Sequence, residues 1–434
     1  MISTFTTALR TRPEPGTTAP VDWSDAPWPV KVYAAGPRFA DQAEDSTRGW
    51  VLRVLTEAVG VSRAVTTGGR TVVRRPVASG GALYPTEVYA LFDGAAHHFD
   101  VARHELVTLG RAGNGVELVL THRFWKNFYK YGDFAYRLGA VDVGVVLGRL
   151  RTVITAHGGA SEIAFDFADA AIHSLLDLTD EGAYAIVRVT PPVTRSMPPV
   201  LPVHTPPVRE RSTVVRRSRD LLAMHLAAQV PAPPAPPPPP LTGERTPLPP
   251  PAATDYRVET VRRRRSAGPS FTGAPLPATT LAAVLSCADS DLQVLCAIRA
   301  VDGYRPGWYG YDHHGYDHHA LVHLNPDQDP TGTLQSALYR PGMNLAAAAF
   351  TVHLAGCLDY PGARSYRVQQ MRVGMAIDAV TLACAALGAS AHPFLGFDAA
   401  AVDESYRLPA GVGTLAQLCV GVAAGAPVLS GRVW

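Results

Sequence analysis

Three clusters in this 434-residue sequence combine residue types and spacings that can do chemistry. The first runs Ser79-Gly80-Gly81-Ala82-Leu83-Tyr84-Pro85-Thr86-Glu87-Val88-Tyr89 into the apolar stretch Ala90 to Phe92. Successive glycines let the backbone take positive φ and come close to a flat ligand, presenting amide N–H groups where a Cβ would collide. The same residues also make a tight turn before a strand or helix, and both readings stand. The second cluster is Lys130-Tyr131-Gly132-Asp133-Phe134-Ala135-Tyr136-Arg137. A lysine entering an apolar helix is desolvated, which favours its neutral form and makes it a usable base, and Tyr131 beside it can donate or relay a proton. Alternatively the lysine stem snorkels to solvent from a helix end. The third cluster, Arg262-Arg263-Arg264-Arg265-Ser266 followed by Phe271, offers guanidinium forks and a hydroxyl suited to a phosphate, or else a solvated charged face.

Two further groups have blander readings. Asp312-His313-His314 and Asp317-His318-His319, with His323, have metal-ligand types, but they fall in an expected hairpin. The first half carries a similar His97-His98-Phe99-Asp100, so solvated hairpin residues and no metal are expected. Cys287, Cys296, Cys357, Cys384 and Cys419 are odd in number, lack CxxC spacing and read as buried thiols.

The elements that must position these clusters come in two copies. Gly132, Tyr136, Arg137, Gly144 and Gly158 have identical partners at Gly362, Tyr366, Arg367, Gly374 and Gly388, all at one offset. Each copy reads as a long helix, apolar around its circumference and closed by a glycine suited to the left-handed C′ position, so each belongs in a buried centre. His104-Glu105-Leu106-Val107 is echoed by His319-Ala320-Leu321-Val322, which marks matching hairpin strands. Between the copies, residues 231–251 hold 12 prolines, a composition that excludes helix and central strand. A semi-rigid spacer reaching roughly 65 Å when extended is expected there. The preceding stretch, Arg209 to Val230, has helical spacing at Leu221, Leu222, His225 and Leu226; it either packs back on the first domain or leads into the linker. Three regions follow: domain 1 over 1–205, an Arg-rich and Pro-rich segment over 206–252, and domain 2 over 253–434.

Composition narrows the classes. Apolar residues at 47%, charged residues at 18% and a net charge of +2 describe a globular protein with no electrostatic pull toward nucleic acid or membrane. Residues 1–20 lack the pattern of a secretion signal, and no apolar run spans a bilayer, so a cytoplasmic location is expected. Lys31, Lys126 and Lys130 are the only lysines among many arginines, which draws attention to each.

The combination of Ser-Gly-Gly-Ala-Leu-Tyr-Pro at 79–85 with Lys-Tyr-Gly-Asp-x-Ala-Tyr-Arg at 130–137 resembles the SagB-type azoline dehydrogenases, flavin enzymes of the nitroreductase superfamily. The resemblance covers about 70–190 and 260–434. It implies an α+β fold with two tandem nitroreductase-like sandwich domains forming a pseudo-dimer. It also implies that Ser79, Gly80, Gly81, Ala82, Leu83 and Tyr84 line an FMN. Arg264, Arg265 and Ser266 resemble the superfamily's phosphate-holding Arg-Arg-Ser segment. His392-Pro393-Phe394-Leu395-Gly396-Phe397 resembles its Pro-x-x-Gly-Phe segment at the flavin edge, which assigns Pro393, Gly396 and Phe397, and Arg432 stands in the place of its C-terminal phosphate-binding residue.

Departures from that pattern are complementary. The second half has no Ser-Gly-Gly-Ala-Leu-Tyr-Pro and carries Tyr360-Pro361 in place of Lys130-Tyr131; domain 1 shows no clear Arg-Arg-Ser segment and no Pro-x-x-Gly-Phe after Gly158. One intact FMN site at the pseudo-dimer interface is therefore expected, and its twin should be dead. By resemblance the substrate is a thiazoline or oxazoline in a ribosomally made precursor peptide. Lys130 is the candidate base, Tyr131 its assistant, a cyclodehydratase the partner and dioxygen the electron acceptor. Two rivals stand beside this: a general nitro or quinone reductase using NAD(P)H, and a non-catalytic peptide-binding scaffold.

Overall fold

The computed structural model describes residues 2–11, 21–41, 45–67, 70–193, 195–201, 205–254, 256–267, 270–288, 291–312, 319–326, 328–339, 342–425 and 429–432. The chain forms two compact units. One comprises Pro20–Pro231 with Val428–Trp434, the other Ala232–Pro427 with Met1–Ala19. Each terminus thus belongs with the unit built by the opposite half, a trade the proline-rich segment does not announce. The contacts divide the chain at 231/232, inside the Arg-rich and Pro-rich segment.

In the first unit the described elements run β1 (Arg38–Phe39), α2 (Thr47–Val59), β2 (Arg63–Thr67), β3 (Arg70–Arg74), β4 (Thr86–Phe92), β5 (Ala95–Asp100), β6 (Glu105–Arg111), β7 (Glu117–Arg123), α3 (Phe124–Tyr131), α4 (Phe134–Ala156), β8 (Ala160–Ala164), α5 (Asp169–Leu176), β9 (Glu181–Thr190) and α6 (Arg219–Ala227). The second unit holds α1 (Ile2–Arg10), β10 (Arg245–Pro247), α7 (Val258–Arg263), α8 (Ala278–Cys287), β11 (Gln293–Ile298), β12 (Gly307–Asp312), β13 (Ala320–Asn325), α9 (Pro330–Ala337), β14 (Phe350–Cys357), α10 (Ala363–Ala386), β15 (Ser390–Phe394), α11 (Ala399–Tyr406) and β16 (Val412–Gly421). Strand β17 (Leu429–Arg432) pairs with β2, which in turn pairs with β3.

The duplication is exact in topology. One antiparallel seven-stranded sheet is ordered β1-β6-β5-β4-β7-β9-β8 and the other β10-β13-β12-β11-β14-β16-β15. The strands β4, β14 and β16 are buried almost end to end. Helix α4 lies against β4, β7, β8 and β9, and α10 against β15 and β16. Both are buried over most of their circumference and are followed by glycines in the left-handed region, Gly158 (φ 73°) and Gly388 (φ 74°). His104 and His319 sit at positive φ in the turns entering β6 and β13, so the short echo marks two equivalent hairpins.

Insertions distinguish the copies. The hairpin β2–β3 and the 79–85 loop occupy the connection between α2 and β4, whereas α8 reaches β11 directly, which is why the second half lacks that motif. Helix α3 likewise has no counterpart before α10, where Pro361 stands. The proline-rich segment is not a free spacer. Gln293 Nε2 donates to Pro239 O at 3.1 Å, Ser365 Oγ donates to Pro233 O, and β10 pairs with β13 as an edge strand, a position that tolerates Pro247. Helix α6 packs back onto the first unit, burying Leu221, Met224 and His225.

Helix α1 is fixed in the second unit by Arg10. Its guanidinium pairs with Asp403, and its Nε donates to Thr414 O at 3.4 Å, while Asp403 also accepts from the Thr414 amide and hydroxyl. Arg10→Ala should therefore cost about 1–3 kcal/mol. The check is a urea titration, with limited proteolysis showing earlier cleavage near residues 2–11.

Candidate active site

Within the first unit, the 79–85 loop and the Lys130-Tyr131 pair come together. The loop makes a 3-10 turn over Gly80–Ala82, with Gly81 at φ 63°, Ala82 at 55° and Tyr84 at 52°. Two non-glycine residues in the left-handed region cost on the order of 1–3 kcal/mol each, so the surroundings must hold them there. Asp142 does much of this. From the middle of α4 its buried carboxylate accepts from Ser79 Oγ at 2.8 Å and from the Gly80 amide at 3.1 Å. Ser79 Oγ in turn accepts from the Tyr84 amide at 2.9 Å. Burial pushes the Asp142 carboxyl up to about 7, against the opposing pull of those two bonds.

This geometry corrects one expectation. The amides of Gly80, Ala82, Leu83 and Tyr84 are spent inside the turn, on Asp142, Ser79 O, Gly80 O and Ser79 Oγ respectively, and are not held out for a ligand. The glycines supply room instead. A Cβ at Gly81 would sit 2.7 Å from Lys130 Nζ and would also strike the Tyr131 hydroxyl, and one at Gly80 would strike Leu138.

Lys130 and Tyr131 do not open the buried helix. They form the last turn of the separate helix α3, which Gly132 (φ 54°) ends before α4 begins. Both are half-buried, and Lys130 Nζ lies 4.7 Å from the Tyr131 ring centre and 5.5 Å from that of Trp23. The strongly desolvated lysine of this helix is Lys126, one turn earlier. Its Nζ donates to Trp28 O at 2.9 Å, and burial, reinforced by the Arg123 and Arg75 charges, lowers its pKa to about 7. Beneath α3, Glu87 joins His98 (3.2 Å) and Arg123 (3.0 Å), and Arg123 also reaches Glu210. Burial alone would raise the Glu87 carboxyl, but His98 and Arg123 together hold it far below its ordinary range. Lys31, the third lysine, forms a buried pair with Glu181 at 2.7 Å. Asp142, Lys126 and the Glu87–Arg123 pair were missed as site residues by sequence reasoning. Their signals were a lone acid in an apolar helix and a retained lysine.

In the second unit, the Arg-Arg-Ser and Pro-x-x-Gly-Phe segments also meet. Ser266 bridges Ala391, the Ala267 amide donates to Ala391 O at 3.0 Å, and His392 Nδ1 donates to Ala267 O at 2.7 Å. Arg264 is buried with its Nη1 3.5 Å from Ser266 Oγ, while Arg265 and Ser266 are exposed, so two of the three phosphate-type donors are accessible. Pro393 is half-buried on β15, and Gly396 O accepts from the Tyr339 amide. Phe397 is 1% exposed and belongs to the core with Trp308 and Val402, so its ring is a packing element. Arg432 lies on β17, opposite Arg63.

The histidine comparison needs correcting. His97 and His98 are buried on β5, and burial lowers the His97 pKa to about 4. Residues 313–318 lie outside the described residues. Asp312 pairs with Arg245, His319 with the Tyr311 hydroxyl and His323 with Thr246, and no metal-ligand cluster occurs among the described residues. Cys296, Cys384 and Cys419 are buried as expected, but Cys287 and Cys357 only partly so. Among the described residues, no helix is long and apolar enough to cross a membrane.

The architecture is the nitroreductase fold, present twice in one chain. Over its whole length the chain is similar to a protein assigned as a nitroreductase from Anabaena variabilis, with 20% identity, 98% of this chain and 99% of that one covered, and a TM-score of 0.79. A protein likewise assigned, from Ralstonia eutropha, matches at 19% identity over 45% of this chain and 100% of its own, with a TM-score of 0.33. The E. coli microcin synthetase McbBCD complex with truncated pro-MccB17 bound matches at 18% over 42% and 77%, with a TM-score of 0.29. No family model matches the sequence, and no curated protein matches it. At 20% identity the likeness to the Anabaena variabilis protein speaks for the fold.

Two measurements test the site. Asp142→Ala strips partners from the Gly80 amide and Ser79 Oγ, which should cost about 1–3 kcal/mol and speed hydrogen exchange at the Gly80 and Tyr84 amides, while Asp142→Asn retains most of the protection. For Lys126 the folded pKa of about 7 lies below the ordinary 10.5. Between those values the unfolded chain binds more protons than the folded one, so this lysine makes stability rise with pH. Lys126→Met should flatten that rise in melting temperature between roughly pH 7 and 10.

Proposed function

We propose that the protein is an FMN-dependent oxidoreductase that converts azoline rings of a ribosomally made precursor peptide to azoles. The observation that carries this reading is the meeting of the Lys130 amine and Tyr131 hydroxyl at Gly81, two motifs separated by fifty residues of sequence whose combination resembles the azoline dehydrogenases. A reductase that only passes electrons to small acceptors needs no such base beside the loop.

Bound FMN would supply the acceptor for the hydride. The residues of this chain supply the rest. Lys130, as a neutral amine, takes the ring C–H proton; Tyr131 orients the amine or relays the proton onward. Ser79 to Tyr84, clamped by Asp142, would line the flavin. Arg264, Arg265 and Ser266, with Arg432, suit the FMN phosphate, since two accessible charge-assisted or hydroxyl donors beside β15 match a phosphate in type. Pro393 lies on that strand and Gly396 just beyond it. The ring loses one proton and one hydride, and dioxygen as final acceptor balances the two electrons. A cyclodehydratase is the partner that supplies the azoline. Because the Ser-Gly-Gly-Ala-Leu-Tyr-Pro and Lys-Tyr motifs occur in the first unit only, the stoichiometry is one FMN per chain.

Flavin titration of the purified protein should saturate at one FMN per chain, and a thiazoline peptide should gain azole absorbance and lose two mass units. Lys130→Ala should keep flavin absorbance and lower turnover by about 10² to 10⁴. Near-normal turnover in that variant would make Lys130 a snorkelling residue. Reduction of nitro compounds by NAD(P)H with no azoline oxidation would replace the proposal with a general flavin reductase.

A further inference from the structure

Strand β3 belongs to the hairpin that only the first copy of the fold carries, and its outer side is an open edge. In the three-stranded sheet β17-β2-β3 it pairs with β2 alone among the described residues, in one register from Arg63↔Arg74 to Thr67↔Arg70. That register fixes which backbone groups are left over. Thr67 and Arg70 pair across a two-residue connection, the geometry of a hydrogen-bonded pair, and bonding alternates along the strand from there. Arg74 O accepts from the Ser62 amide at 2.9 Å, on the β2 side, as the alternation requires. Arg70, Val72 and Arg74 therefore turn their backbone groups toward β2. Thr71 and Val73 turn theirs outward, where they meet no backbone partner among the described residues. Their surroundings are open, since Val72 is 38% and Val73 46% exposed and successive residues stand on opposite faces of a strand. No proline or bulge blunts this edge between residues 70 and 73.

The charges at its two ends decide what can pair there. A second copy meeting β3 over all five residues about a two-fold axis would set Arg70 against Arg74 twice, and like charges directly opposite are destabilising. Balancing acids are not at hand in the sequence: no Asp or Glu occurs between Glu57 and Glu87, nor in β17. Arg74 makes no ion pair among the described residues, and Arg63 and Arg432 hold the register positions across from it. The complementary strand thus carries Asp or Glu opposite Arg70 and Arg74 and an uncharged residue opposite Val72.

The edge is also tied to the candidate site. Ser79 follows Arg74 by five residues. Between them the Arg75 amide donates to the Tyr84 hydroxyl at 3.4 Å, its guanidinium lies 5.1 Å from the Tyr84 ring centre, and its Nη1 donates to Thr86 O at 3.4 Å. Hairpin and loop form one insertion, which the second copy lacks.

We infer that β3 is a docking edge on which an extended segment of the peptide substrate adds an antiparallel strand, selected by acidic residues at positions i and i+4. The inference rests on the peptide-modifying reading above and deepens it by specifying sequence outside the reacting ring. Residues i+1 and i+3 of the segment each exchange two backbone bonds, with Val73 and Thr71, while the acids meet Arg74 and Arg70. A substrate bonded there is anchored to the insertion that carries Ser79 to Tyr84. The contribution lies in affinity for the peptide and not in the chemical step.

The test is fluorescence anisotropy on the full chain with a fluorescein-labelled peptide containing Glu-Thr-Val-Thr-Glu, against one containing Lys-Thr-Val-Thr-Lys. The acidic peptide should bind about tenfold more tightly or better, and more weakly as salt rises. N-methylation of both threonine amides should abolish binding, whereas N-methylation of the valine amide, which points away from β3, should leave most of it. Val73→Pro removes an outward amide without touching the β2 ladder and should weaken binding about tenfold or more. Arg74→Glu should erase the preference for the acidic peptide. A wild-type circular-dichroism spectrum confirms that both variants fold. On an azoline peptide bearing the acidic segment, Val73→Pro should raise KM and leave kcat alone. Equal binding of the two peptides, or binding indifferent to threonine N-methylation or to Val73→Pro, overturns the inference. So does a concentration-dependent dimer that Val73→Pro dissociates while the acidic peptide fails to bind, since the edge would then pair with a second copy. Peptide binding without azoline oxidation keeps the docking edge and removes the proposed reaction; oxidation without binding does the reverse.

Discussion

A single buried carboxylate organises the first unit's chemistry. Asp142 sits in an apolar helix where an ionised acid is expensive, and its two bonds to Ser79 and Gly80 offset part of that cost. Those bonds fix the loop on the helix, and the loop's conformation in turn brings Gly81 against Lys130 and Tyr131. The left-handed Ala82 and Tyr84 persist because this clamp and the Tyr84 amide bond to Ser79 over-determine them. The cost of burial and the strain of the turn are thus offset by one set of bonds.

The two copies of the fold share their sheets and differ in their connections. Their sheets share one strand order, so the apolar strands and central helices are conserved by packing requirements. What differs lies in the connections. The first copy lengthens the path from α2 to β4 and inserts α3; the second adds α9 between β13 and β14 and retains the segment in which Ser266 meets Ala391. Function has been placed where the core does not constrain the chain.

Helix α3 concentrates several of these consequences in eight residues. It has one face of lysines, one of aromatics, and a buried ionic group beneath it in which Arg123 bridges Glu87 and Glu210. Truncating Arg123 leaves the buried Glu87 charge short of a partner, a destabilising change. Lys126 is drawn into that field and loses its proton easily, whereas Lys130, one turn further on, emerges at the loop.

By itself the sequence determined the periodic and covalently local features. These include the duplicated helix with its closing glycines at Gly158 and Gly388, the paired hairpins at His104 and His319, and the exclusion of helix from the proline-rich stretch. Each rests on interactions within a few residues, which spacing reports directly. The turn at Gly80-Gly81 was legible too, but not its purpose: only the fold shows that the missing Cβ makes room for Lys130 and Tyr131 and that the Gly80, Ala82, Leu83 and Tyr84 amides bond within the loop and to Asp142. Tertiary structure alone decided that Lys130 ends a separate helix, that Lys126 is the desolvated lysine, that His97 and His98 are buried, and that Phe397 belongs to the core. It also decided that α1 and β17 change units and that the proline-rich segment lies on a sheet edge. All of these depend on neighbours tens to hundreds of residues away, and burial and charge at a position are set by such neighbours, which local spacing does not encode.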